Sequence, residues 1–158
     1  MNFRYHLLLG IVFAVLLYFL FYPLISFLGL LIIFLSSFLI DADHYIYYVY
    51  KKGDFNLIRA YNWYMKNARK FCFMSKEKQK QVYIGFYIFH GIEPLIILFF
   101  LGFFLSQFFT FILIGFLFHL STDLISEIIL RQRIDKVSII QNLLRNKKLV
   151  SLEEIDSG

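Results

Sequence analysis

The chain has 158 residues, 59% of them hydrophobic and 21% aromatic, with a formal net charge of +5. That balance excludes an ordinary soluble domain, and the length leaves a single unit with no room for an added soluble catalytic domain. The lone Cys72 excludes an internal disulfide and any cysteine-based zinc ribbon.

Four apolar runs, at about 7–22, 24–40, 83–105 and 108–130, approach the roughly 20 residues needed to cross a bilayer core. The first follows a short MNFRYH head and continues through Pro23 without a small-residue cleavage site, so it reads as a retained helix rather than a signal peptide. The predicted architecture is therefore all-α: a polytopic bundle over 1–130, with four transmembrane helices in two hairpins hinged at Tyr22-Pro23 and near Ser106-Gln107. Pro94 lies inside the third run, where its missing backbone donor predicts a kink and a freed carbonyl at residue 90.

Neither hinge carries a basic residue. Arg4, the tail after 130 and the connector 45–82 hold all of them, the connector with Lys51, Lys52, Arg59, Lys66, Arg69, Lys70, Lys76, Lys78 and Lys80. The positive-inside rule then places both termini and the connector in the cytoplasm, in a multi-pass protein of the plasma or inner membrane.

Within the connector, residues 55–73 set Leu57, Ile58, Tyr61, Tyr64, Met65, Ala68 and Phe71 on one helical stripe, with Gly53-Asp54 as break and N-cap before it. A basic amphipathic segment with Trp63 and several tyrosines predicts an interfacial helix and a partner in anionic lipid head groups. The alternative is a plain positive-inside anchor. The tail, 131–158, carries Ile134, Val137, Ile140 and Leu144 at helical spacing, then Arg145, Lys147 and Lys148 and an acidic end, Glu153-Glu154-Ile155-Asp156. It reads as a short interfacial helix that frays.

Ionisable residues in hydrocarbon are costly and usually functional. Here His6 opens the first run, Asp41, Asp43 and His44 close the second as DADH, and His90 with Glu93 lies in the third. His119 and Asp123 lie in the fourth. The i,i+3 and i,i+4 spacings put each late pair on one helix face, and all these residues fall in the cytoplasmic half of the predicted bundle. Imidazole and carboxylate together bind zinc or a similar divalent ion, manganese and magnesium being the alternatives. The candidate ligands are His6, Asp41, Asp43, His44, His90, His119 and Asp123, with Glu93 as candidate general base. Eight groups exceed the needs of one tetrahedral ion, so either some orient the ligands or two ions bind. The competing readings are interhelical polar glue and a proton or ion path. The uncharged outer half of the runs, around 14–30 and 96–112, argues against conduction.

The order of these elements resembles the predicted membrane-bound, metal-dependent hydrolases, small multi-span proteins of bacteria and archaea. The resemblance rests on His6-Leu7-Leu8-Leu9-Gly10, the DADH string at 41–44, His90 and His119-x-x-x-Asp123, which together span the chain up to 130. Where those proteins often carry HR followed by THS, this chain has Phe89-His90-Gly91-Ile92-Glu93. The resemblance implies hydrolysis, and a site beside lipid implies a phosphoester or lipid-linked substrate at the cytoplasmic face. The alternative is a non-catalytic membrane protein, either a transporter or a structural bundle. A bundle this small leaves room for a homo-oligomer. No Gly-rich phosphate loop, GxSxG elbow or CxxC is present, and no nucleic-acid module can be read.

Overall fold

The computed structural model describes residues 3–83, 85, 87–131, 138–146 and 149–152. These are mostly helical: α1 (Phe3–Phe21), α2 (Phe27–Leu39), α3 (Ala42–Lys52), α4 (Leu57–Phe73), α5 (Lys76–Gln79), α6 (Ile92–Phe104), α7 (Gln107–Ser126) and α8 (Ile139–Asn146), with two-residue strands β1 (Val82–Tyr83) and β2 (Val150–Ser151). The chain forms two compact units, Met1–Asp41 with Phe89–Ser138, and Ala42–Ile88 with Ile139–Gly158.

In the first unit, α1 and α2 are joined through a turn at Tyr22-Pro23, a cis peptide, and α6 and α7 through Ser106. Serines start two of these helices: Ser26 Oγ accepts from the Gly29 amide at 3.1 Å and Ser106 Oγ from the Phe108 amide at 3.3 Å. Both hinges thus fall where the sequence places them.

Three of these helices, α1, α2 and α7, each bury a single stripe. On α7 it is Phe111, Gly115, His119 and Asp123, every fourth residue; on α2 it is Gly29, Leu30, Ile33, Ser36 and Ser37; on α1, His6 and Gly10 lie one turn apart and are buried. Small residues set the helix separations. A Cβ at Gly115 would collide with Ser36 Oγ and lie 2.6 Å from the Ile33 carbonyl, and one at Gly10 would collide with Ser37 Oγ. Close backbone approach through small residues is how helices associate where apolar burial gives no net drive.

Outside these stripes the surface is apolar, with Val15, Leu16, Phe19, Phe99, Phe103, Leu117 and Ile125 exposed. Three stretches, Arg4–Phe21, Phe27–Lys52 and Gln107–Ile129, are long and apolar enough to cross a membrane. That surface and those lengths are compatible with a membrane location.

The third apolar run differs from expectation. Instead of a helix over 83–105, α6 begins at Ile92, with Gly91 in extended conformation as its N-cap. Its 13 residues rise only about 20 Å. Pro94 therefore stands in the first turn, where its missing amide costs nothing, and does not kink a longer helix.

The second unit packs α3 against α4, and a small core of Phe71, Val82 and Leu152 sits beside the parallel pair β1–β2. The sequence reading contained no strand. Asn56, not Asp54, caps α4, its Oδ1 accepting from the Arg59 amide at 3.0 Å. Asp54 instead locks the turn, accepting from the Tyr48 hydroxyl at 2.6 Å, the Asn56 amide at 3.0 Å and the Arg59 guanidinium at 2.9 Å. Gly53, at φ +64°, makes that turn. The expected tail helix is present as α8; Ile134, Val137, Lys147, Lys148 and the acidic end Glu153–Asp156 lie outside the described residues.

Two outcomes follow. Gly115→Ala gains about 1 kcal/mol of helix propensity, but the clash with Ser36 and the Ile33 carbonyl costs about 1–3 kcal/mol, so the thermal midpoint of the detergent-solubilised protein falls. Asp54 is held below its ordinary value, chiefly by the Tyr48 hydroxyl and then by the Asn56 amide. A depressed folded value means the Asp54 contribution is complete above the unfolded value of about 3.9 and disappears as pH falls through the folded one. Emission of Trp63, whose ring lies 5.6 Å from that of Tyr48, should stay flat from about pH 7 to 5 and change only below about 4, with the Tyr48→Phe transition at higher pH than wild type.

Candidate metal centre

Five of the eight nominated side chains converge in the first unit. His6 comes from α1, Asp41 from the turn that ends α2, His90 from the bend before α6, and His119 and Asp123 from successive turns of α7. His6, His90, His119 and Asp123 are each at most 1% exposed, while the Asp41 side chain retains 14% and is the most open of the five.

His119 Nδ1 lies 2.8 Å from the Ser37 carbonyl oxygen. A carbonyl can only accept, so Nδ1 carries the proton and Nε2 presents a lone pair. His90 Nε2 lies 3.1 Å from that Nε2, 3.4 Å from Asp41 Oδ1 and 3.6 Å from Asp123 Oδ2. His119 Nε2 is itself 3.6 Å from both Asp41 Oδ1 and Asp123 Oδ2. These four atoms are two imidazole nitrogens and two carboxylate oxygens. Imidazole nitrogen and carboxylate oxygen are together the donors that a divalent cation takes.

Five of the six donor separations suit one. A tetrahedral ion with bonds of about 2.0–2.1 Å needs donors about 3.3–3.4 Å apart, and the five separations above run from 3.1 to 3.6 Å. The donor atoms of His90, His119 and Asp123, and those of His6, Asp41 and His119, form groups within 4.8 Å that can hold a metal ion.

His6 approaches the set from another side. Its ring stacks on that of His119 with centroids 3.9 Å apart, and its Nε2 lies 3.0 Å from Asp123 Oδ1, the other oxygen of that carboxylate. Thr122 Oγ donates to the His119 carbonyl at 2.8 Å and lies 3.3 Å from His6 Nδ1. His6 thereby fixes the carboxylate rotation that aims Oδ2 at the two imidazoles.

The other three nominated residues make the following hydrogen bonds. Asp43 and His44 belong to the second unit, where His44 Nδ1 donates to Asp43 Oδ1 at 2.7 Å and His44 Nε2 accepts from the Tyr64 hydroxyl at 3.0 Å. Tyr87 stacks on the same imidazole at 4.1 Å. Glu93 stands in the first turn of α6 and accepts from Ser138 Oγ at 2.5 Å. One acidic residue was passed over: Glu127, 3% exposed, continues the α7 stripe one turn beyond Asp123 and opens the π-helical turn Glu127–Arg131. The every-fourth-residue register of 119, 123 and 127 is the signal that marks it.

Compared with known protein families, curated proteins and solved structures, this chain matches none. What can be said of the site rests on its own atoms.

His6→Ala leaves the four-atom set in place and removes the group that orients Asp123. Divalent-ion affinity should drop about 10–100-fold, measured by competition with a chromophoric chelator, with the number of ions at saturation unchanged.

Proposed function

We propose that the chain is a membrane-embedded, metal-dependent hydrolase whose site opens to the cytoplasmic face and takes a phosphoester or lipid-linked substrate. The observation that carries this reading is the convergence of His90 Nε2, His119 Nε2, Asp41 Oδ1 and Asp123 Oδ2, with 3.1–3.6 Å between neighbouring donors, in a largely buried cluster. The resemblance of the His6, DADH, His90 and His119-x-x-x-Asp123 series to membrane-bound metal-dependent hydrolases supports the reaction class.

Those four side chains hold the ion, zinc in the first instance and manganese or magnesium as alternatives. A divalent ion there supplies Lewis acidity, polarising the scissile group and acidifying water. His6 keeps Asp123 aimed, and the Ser37 carbonyl keeps the His119 lone pair inward. Asp41, the least enclosed donor, marks the side from which substrate approaches. Glu93 is the proton acceptor in this reading, with the Ser138 hydroxyl holding its carboxylate until substrate arrives.

The membrane topology that suits this chemistry has four crossings, both termini cytoplasmic and the Lys-rich connector on the same side. In it α6 is a short crossing helix, and the non-helical His90 and Gly91 are tolerated at membrane depth because both are buried in protein.

Metal content of the purified protein decides the matter. Wild type should carry stoichiometric divalent ion, and His90→Ala and His119→Ala should lose it while remaining folded. Glu93→Gln should keep the ion and lose about 10²–10⁴-fold in turnover of a phosphoester substrate. A wild-type protein that binds neither zinc nor manganese after reloading would sink the hydrolase and leave a polar structural bundle.

A further inference from the structure

The helix α4 buries only the later part of the stripe that its sequence periodicity marks. Its inward residues are Ala60, Asn67 and Phe71, with Tyr64 turned to His44 and Trp63 to Tyr48. Leu57 and Ile58 are left 67% and 73% exposed, and Tyr61 is exposed beside them. At 100° per residue, Leu57, Tyr61 and Ile58 span one flank of the helix. Arg69 borders that flank, and Arg59 and Lys66 lie farther round. The helix therefore has three sectors: one packed, one apolar and exposed, one basic.

We propose that the Leu57–Ile58–Tyr61 ridge inserts into the head-group region of a bilayer containing anionic lipid. The inference rests on the membrane reading above, because the chain itself keeps the ridge near the bilayer. The candidate span Phe27–Lys52 ends five residues before Leu57. Five residues reach at most about 18 Å when fully extended. The turn is tighter than that, since Tyr45 Oη donates to the Phe55 carbonyl at 2.9 Å and Tyr48 to Asp54 at 2.6 Å. Lys51 and Lys52 stand before the helix and Lys76, Lys78 and Lys80 after it, so positive charge flanks the ridge at both ends. Exposed Tyr50, Phe55 and Phe73 add aromatic rings at those ends. Apolar residues between basic termini suit a charged, curved-over lipid surface better than a protein groove.

The test is the depth of single spin labels in the full chain, reconstituted in vesicles of phosphatidylcholine with phosphatidylglycerol. Labels replace Leu57, Ile58 and Tyr61, with Asn62 and Lys66 as controls, all in a Cys72→Ser background. The expected result is an oxygen-to-nickel-chelate accessibility ratio several-fold higher at 57, 58 and 61 than at 62 and 66, and falling when phosphatidylglycerol is omitted. Equal ratios at all five positions overturn the proposal, because the ridge is then in water. Protection of the ridge from both reagents also overturns it, since a protein surface then covers the ridge. If instead the chain partitions into buffer without detergent, the membrane reading itself falls, and the two failures are told apart.

Discussion

Two carboxylates and three imidazoles lie together almost wholly buried, and this constraint governs the first unit. An isolated buried carboxylate is too costly to persist, so Asp123 exists as an ion only because other groups face it. Those groups come from three separate places in the chain: α1, the bend before α6, and α7 itself. No single helix can satisfy the cluster. Folding of the unit and assembly of the site are in this sense one event, and a bound cation would stabilise both together.

The second unit solves a different problem with the same residue types. Asp43, His44 and Tyr64 pair donor to acceptor in sequence. Their geometry ties α3 to α4 through polar atoms, and the aromatic rings of Tyr87 and Trp63 pack around it. Within one DADH string, Asp41 faces His90 and His119, whereas Asp43 pairs with His44.

Much of this was readable from the sequence, for reasons that differ by element. The hinges were legible because Pro23 and Ser106 interrupt long apolar runs, and α7 because Phe111, Gly115, His119 and Asp123 repeat at one helical turn. The start of α6 was not. Hydropathy continues unbroken from 83 to 105, and only Gly91 followed by Pro94 marks the place where helix begins. The orientation of α4 was not legible either. Its apolar residues cover more than one face, and periodicity cannot say which part turns inward; buried Asn67 and exposed Ile58 reverse what hydrophobicity ranks. The division of Asp41 from Asp43 and His44 escaped because it depends on the end of α2 at Leu39 and the fresh start of a helix at Ala42.

Ser37 has two roles at one position. Its hydroxyl occupies the gap left by Gly10, and its carbonyl accepts the His119 Nδ1 proton. Gly10 in turn lies one helical turn from His6. The spacing of α1 and α2 and the aim of two imidazoles are therefore a single mechanical variable. A methyl group at Gly10 would act on the donors as a wedge acts on a hinge, from outside and without touching them. In a population of sequences, Gly10 and Ser37 should change together or not at all, and residue pairs of that kind locate the centre as surely as the ligands do.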